Sequence, residues 1–219
     1  MSNKLKIGIL ISGQGSNLQA LIDACEQPDF PAEIVLVISN VKNAKGIEIA
    51  INANIPCFII DHKKYINREN FEAVMTERLS EAKVELVCLA GFMRLLSKKF
   101  IKLWFNRLIN IHPSLLPAFK GLNVHVRAID AGAKFSGCTV HFVRKHMDNG
   151  PIIAQSVVPV HDDDTSNELA ERILKQEHRL YPSVVRWFAE DRVKIQGERV
   201  VVTGIDHPET TVTNPSPAL

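Results

Sequence analysis

The chain has 219 residues, 46% of them apolar and 23% charged, with a net charge of +2. That length suits one sizeable core with at most a small extension, and the composition is that of an ordinary soluble domain. A charge so near balance gives no reason to expect nucleic acid or a membrane as the main partner. Four cysteines (Cys25, Cys57, Cys88 and Cys138) form no Cys-x-x-Cys pair and sit mostly in apolar stretches. They read as free thiols of a cytoplasmic protein rather than as a disulfide framework or a zinc site. No apolar run approaches the roughly 18 residues of a membrane span, and the N-terminus enters a strand without a signal-peptide layout.

The first half alternates short apolar runs with helical patterns. Residues 6–11 (KIGILI) are followed by Ser12-Gly13-Gln14-Gly15-Ser16-Asn17 and then by a helical pattern carrying Leu18, Leu21 and Ile22. A buried strand, a glycine turn and a helix open a βα unit. The unit recurs, with strands expected at 34–38, 57–60 and 84–90 and helices at 46–53 and 68–82. This alternation predicts an α/β fold with a Rossmann-like, doubly wound, mostly parallel sheet.

The second half changes character. A strand end at Leu108-Ile109 runs into the string 110–117 (NIHPSLLP), and a helix is expected near 124–131. Two strand-like runs, 137–143 and 151–158, are joined by a short connection holding Asp148-Asn149-Gly150, which predicts an antiparallel addition to the sheet. A long helix is expected over 165–190, capped by Asp164 or Thr165 with Glu168 behind it, and kinked or split at Pro182. Residues 195–202 suggest a small hairpin, and the tail over 204–219 reads as loose. The whole reads as one domain over 1–203, with halves near 1–105 and 106–203.

Strand periodicity puts Asn110 and His112 on one side, and Pro113 keeps His112 extended. An amide and an imidazole leaving a strand end together suit two donors converging on a developing oxyanion; a capped turn with a half-buried histidine is the plain alternative. The 12–17 turn offers backbone N–H groups to an anion at a helix start, with Ser16 and Asn17 as further donors. It lacks the third glycine of a dinucleotide fingerprint and the Gly-Lys-Ser/Thr of a Walker loop, so a phosphomonoester fits better than a nucleoside triphosphate. A plain turn with Ser16 as N-cap is the alternative there. Gly91-Phe92-Met93-Arg94-Leu95-Leu96 follows the fourth strand at its carboxyl end, where apolar side chains can wall a flat aromatic ligand. Asp148 alone is a turn residue; beside His112 it would orient the imidazole and stabilise its protonated form. His141 in a strand and His178 on a helix read as structural histidines. Asp162-Asp163-Asp164 reads as a solvated helix start, so no metal is expected.

Together, the segments 11–18 (ISGQGSNL), 90–96 (AGFMRLL), 110–117 (NIHPSLLP), 140–143 with 148–151, and 176–182 (QEHRLYP) resemble the phosphoribosylglycinamide formyltransferases of purine biosynthesis. The likeness runs in order over about residues 5–190. It implies an N-terminal half that binds the phosphoribosyl substrate and a C-terminal half that completes a folate site. The resemblance implies that Gly15, Ser16 and Asn17 hold the 5′-phosphate of glycinamide ribonucleotide and that Glu177 lies near its ribose and glycinamide. It implies a folate pocket of Met93, Arg94, Leu95, Leu96, Asn110, Val143, Arg144 and Asp148, with Arg68 meeting the glutamate tail. Asn110, His112 and Asp148 match the family's catalytic trio. The implied co-substrate is 10-formyltetrahydrofolate, without a metal. The implied partners are these small molecules, with neither nucleic acid nor membrane, in a monomer or homodimer. The stretches 118–120, 123–125 and 144–147 depart from the family pattern, which bears on loop closure rather than on the chemistry. The alternatives are a formyltetrahydrofolate deformylase, a methionyl-tRNA formyltransferase, and a non-catalytic folate- or nucleotide-binding module.

Overall fold

The computed structural model describes residues 4–206 and 209–215. Five βα-type strands come first: β1 (Leu5–Ile11), β2 (Ala32–Ser39), β3 (Cys57–Ile59), β4 (Leu86–Leu89) and β5 (Leu108–His112). Helices α1 (Ser16–Cys25), α2 (Gly46–Asn52), α3 (Arg68–Glu81) and α4 (Lys98–Leu103) connect them, with a 3-10 turn at His62–Lys64. Then follow α5 (Val124–Asp130), β6 (Phe135–Phe142), β7 (Ile152–Pro159), α6 (Ser166–Ala189) and the hairpin β8 (Val193–Gln196) and β9 (Arg199–Val202). The main sheet has the order β3-β2-β1-β4-β5-β6-β7. The first five strands run parallel, and β6 and β7 are antiparallel additions. This is the Rossmann-like arrangement expected, with its antiparallel extension.

Alternation along β1 explains how the layers form. Ile7, Ile9 and Ile11 point to one face and join Leu18, Leu21 and Ile22 of α1 with Tyr181, Val184 and Val185 of α6. Leu10 points to the other face and joins Phe71, Met75 and Leu79 of α3 with Phe100 and Ile101 of α4. Each such buried aliphatic side chain contributes about 1.5–3 kcal/mol relative to exposure. Gly8 makes room on that second face, because a Cβ there would lie 2.7 Å from the Leu79 side chain, which would have to shift. A third cluster, of Ala128, Cys138, Val158, Leu169 and Ile173, seats α5 and α6 on the antiparallel strands.

Helix α6 begins with the expected capping box: Thr165 accepts from the Glu168 N–H, and Glu168 accepts from the Thr165 N–H. Asp164, the other candidate cap, instead holds Arg172 through two 2.7 Å hydrogen bonds. This guanidinium lowers the Asp164 carboxyl to about 2. Of the kink or split expected at Pro182, the split does not occur: α6 is continuous over 24 residues. A proline costs about 3 kcal/mol within a helix. The buried stripe of Leu169, Ile173, Tyr181, Val184 and Val185 spans the proline and outweighs that cost. Helix α4 was not foreseen; it is short and starts where Ser97 accepts from the Phe100 N–H. Among the described residues, no helix is long and apolar enough to cross a membrane.

Candidate active site

Two loops meet where the winding reverses, between β1 and β4. The turn after β1 passes into α1 through Gly15, whose φ of 80° makes it the helix N-cap in place of Ser16. A Cβ at Gly15 would lie 2.5 Å from the Gly46 Cα, so only glycine lets this turn nest against α2. The first amides of α1 therefore point outward without a capping side chain. Beside them, the segment after β4 carries exposed Met93 and Leu95, with Phe92 buried beneath. Ser12 ties the two together: its hydroxyl accepts from the Met93 N–H at 2.8 Å and donates to Asn40 Oδ1 at 2.5 Å.

Asn17 is turned inward. Its Nδ2 donates to Glu177 Oε2 of α6 at 2.7 Å, while its buried Oδ1 has no partner. Burial pushes the Glu177 carboxyl up to about 7, against the smaller opposing effect of the Asn17 hydrogen bond. A buried acceptor and a buried carboxylate of shifted pKa, side by side next to a helix N-terminus, suit a neutral ligand rich in hydroxyl or N–H donors.

The third part lies at the carboxyl end of β5. Asn110 and His112 share a face of that strand, opposite His141 and Thr139 of β6. His112 is buried, with Nδ1 3.5 Å from Asp148 Oδ2 and Nε2 3.0 Å from the Phe119 carbonyl. A carbonyl only accepts, so Nε2 carries a proton, and the carboxylate stands ready to hold a second proton on Nδ1. Asp148 comes from the loop between β6 and β7 with a left-handed backbone, φ 48°. The base of that loop is pinched: the Phe142 N–H donates to the Pro151 carbonyl at 2.9 Å. A Cβ on Gly150 would lie 1.7 Å from the Phe142 oxygen. Asp148 also accepts the Gly121 N–H at 2.8 Å, and Lys120 donates to Asn149, so the 118–122 stretch is laced over the His112–Asp148 pair.

A family model described as Formyl transferase matches residues 5–185. The phosphoribosylglycinamide formyltransferase of Haemophilus influenzae is 40% identical over 209 residues, covering 95% of this chain and 99% of that protein. This chain belongs to the formyltransferase family. The trifunctional purine biosynthetic protein adenosine-3 of Gallus gallus is 47% identical over 194 residues, 89% of this chain. The match spans only 19% of that longer relative's length. Among solved structures, glycinamide ribonucleotide transformylase 1 from Symbiobacterium toebii superposes with a TM-score of 0.90 at 46% identity, covering 92% of this chain and 95% of that one.

Against the family expectations, His112 and Asp148 are in contact, and Asn110 reaches them through His141, whose Nε2 lies 3.3 Å from Asn110 Nδ2 and 3.8 Å from Asp148 Oδ1. Asn17 and Glu177 are likewise in contact. Arg68 is the exposed first residue of α3, one helical turn before Glu72, whose carboxylate accepts from Ser97 next to Leu96. Arg94, in the 93–96 segment, is exposed too. Val143 is half-buried, and its N–H donates to the Leu108 carbonyl. Arg144 is engaged otherwise than the resemblance implies: it donates to Asn106 Oδ1 at 2.6 Å and lies 4.3 Å over the Phe105 ring. Three participants escaped the sequence reading. His141 looks structural in the sequence, and only the cross-strand register sets it against Asn110. Phe119 and Gly121 present backbone groups, which leave no trace in residue type. Among the described residues, no group of three or more His, Cys, Asp or Glu side chains is arranged to hold a metal ion.

Proposed function

We propose that this chain transfers the formyl group of 10-formyltetrahydrofolate to the amine of 5-phosphoribosylglycinamide. The observation that carries this reading is the His112–Asp148 pair, with Asn110, at the end of β5 beside both the phosphate-type turn and the exposed apolar segment. In this reading Gly15, Ser16 and the backbone N–H of Asn17 hold the acceptor's phosphate, since the Asn17 side-chain amide is spent on Glu177, and Glu177 faces its ribose and glycinamide. Met93 to Leu96, Val143 and the loop to Asp148 wall the folate, and Arg68 meets its glutamate tail. Arg144 serves by bracing the loop base on Phe105 and Asn106. The enzyme works in the cytoplasm, consistent with four free cysteines.

The acceptor's primary amine attacks the formyl carbon, forming a C–N bond and placing negative charge on the formyl oxygen. His112 and Asn110 donate to that oxyanion, and Asp148 holds the imidazole while it is protonated. The bond from carbon to the folate nitrogen then breaks, and the proton lost by the amine ends on that nitrogen, through His112 or a bound water. No enzyme-bound acyl group is needed. The His112 Nε2–H is spent on the Phe119 carbonyl in this structure. The 118–122 stretch therefore has to withdraw before that proton serves the substrate.

The test is acceptor dependence. Anchoring the acceptor supplies proximity that water lacks. Release of deformylated folate should be very slow with 10-formyltetrahydrofolate alone and rise by orders of magnitude on adding the ribonucleotide. Rapid acceptor-independent release would make the chain a hydrolase and refute the assignment.

A further inference from the structure

His141 is 2% exposed and lies directly across the β5–β6 ladder from Asn110. Its Nδ1 is 3.0 Å from the Phe142 carbonyl oxygen. Because that oxygen only accepts, Nδ1 carries the ring proton and Nε2 of the neutral ring presents a lone pair. Asn110 Nδ2 lies 3.3 Å from Nε2 and donates to it. The reversed amide would bring Asn110 Oδ1 against that lone pair, two acceptors facing one another. The imidazole thus selects one of the two amide orientations, which are otherwise close in energy for an asparagine at a strand end.

From this geometry we propose that His141 is a positioning residue for formyl transfer, orienting the Asn110 amide so that its second N–H is offered to the developing oxyanion. The inference rests on the function proposed above. With the reversed amide, Oδ1 would meet the oxyanion and repel it, so the selection bears on the transition state rather than on either ground-state complex. The surroundings keep the ring neutral. Burial lowers the His141 pKa, His112 and Lys120 lower it further, and the Phe142 carbonyl and Asp148 oppose them. Asp148 Oδ1 at 3.8 Å is too far for a hydrogen bond to Nε2. A protonated His141 would turn its Nε2–H to that carboxylate, releasing Asn110 and drawing Asp148 from His112.

A double-mutant cycle with a conservative rescue tests this. His141→Leu removes the acceptor; His141→Gln puts an amide oxygen close to where Nε2 lies. We expect His141→Leu to lower kcat about 10- to 100-fold, the scale of a displaced oxyanion donor, with KM for both substrates within about threefold. His141→Gln should recover most of that loss. In an Asn110→Ala background, His141→Leu should change kcat by less than about twofold, since its target is gone. Fully additive losses, or no loss in His141→Leu, overturn the proposal. A readout on the wild-type chain needs no variant to fold: nitrogen-15 NMR of the histidine rings should show His141 neutral with the proton on Nδ1 at pH 8. A proton on Nε2 overturns the proposal without any turnover. Loss of the proposed function itself would appear separately, as an absence of acceptor-dependent transfer in the unmodified chain.

Discussion

Replacing Glu177 by glutamine should stabilise the protein in alkaline solution and leave it unchanged in acid. Glu177 is buried between α6 and α1, and desolvation lifts its carboxyl from 4.5 to about 7. The folded state therefore holds this proton more tightly than the unfolded chain. Between pH 4.5 and 7 the unfolded state binds fewer protons, so stability falls as pH rises through that window and levels off above it. The gap of about two and a half units, at about 1.36 kcal/mol per unit, makes the burial cost on the order of 3 kcal/mol at pH 8.5. Glutamine cannot ionise and still accepts from Asn17 Nδ2, so it avoids that cost. Urea unfolding should give nearly equal midpoints for the two proteins at pH 4, below both the unfolded and the folded value. At pH 8.5 the variant should be more stable by roughly 1–3 kcal/mol, or about 2–10 °C in Tm for a chain of this size. Other titrating groups cancel in the comparison. An equal difference at both pH values would refute the reasoning, because it would mean that the side chain acts through packing rather than through its charge. The same substitution should raise KM for the ribonucleotide, exchanging substrate affinity for stability.

Three further outcomes follow from the site. His112→Ala and Asn110→Ala should each lower kcat by about 10²–10³, the scale of one lost oxyanion donor; stopped-time product assays with near-normal rates for both would remove them from the chemistry. Gly150→Ala has to open the loop base, because its Cβ would lie 1.7 Å from the Phe142 oxygen. Its kcat should fall as far as that of Asp148→Asn while the folate still binds, and a normal kcat would show that Asp148 does not depend on the pinch. Dialysis against a strong chelator should leave the rate unchanged; a loss restored by added zinc or magnesium would mean that the histidines have been misread.

Legibility in the sequence followed the range of the interaction. The continuous apolar runs of β1, β2 and β4 were readable because strands buried on both faces need no polar alternation. The capping box at Thr165 and Glu168 was readable because its hydrogen bonds close within three residues. A split at Pro182 is what local propensity suggests, and it does not occur because propensity takes no account of the buried stripe that carries α6 past the proline. The His112–Asp148 contact spans 36 positions and was reached through family likeness, whereas the pairing of His141 with Asn110 depends on a register that no local signal carries. The hold of Phe119 on His112 was invisible for a different reason: a carbonyl oxygen is common to every residue.

The change of strand direction at β5 is what assembles the site. A parallel neighbour would reach β5 by a long crossover and set its own carboxyl end alongside. Antiparallel β6 instead runs past His112 and Asn110 from the other direction, so Thr139 and His141 stand opposite them on the same face. Thr139 anchors the turn that follows, donating to the Ser114 carbonyl at 2.7 Å and accepting from the Leu116 N–H at 3.0 Å. The chain leaving β6 beyond Phe142 then has to turn back to start β7, and the pinch at Gly150 makes it return past His112. Asp148 is delivered by that return, with its left-handed backbone held between the His112 ring and the Gly121 amide. The parallel half can supply the phosphate-type turn and the apolar wall without β6. The carboxylate reaches the His112 imidazole only where the antiparallel half folds back over it.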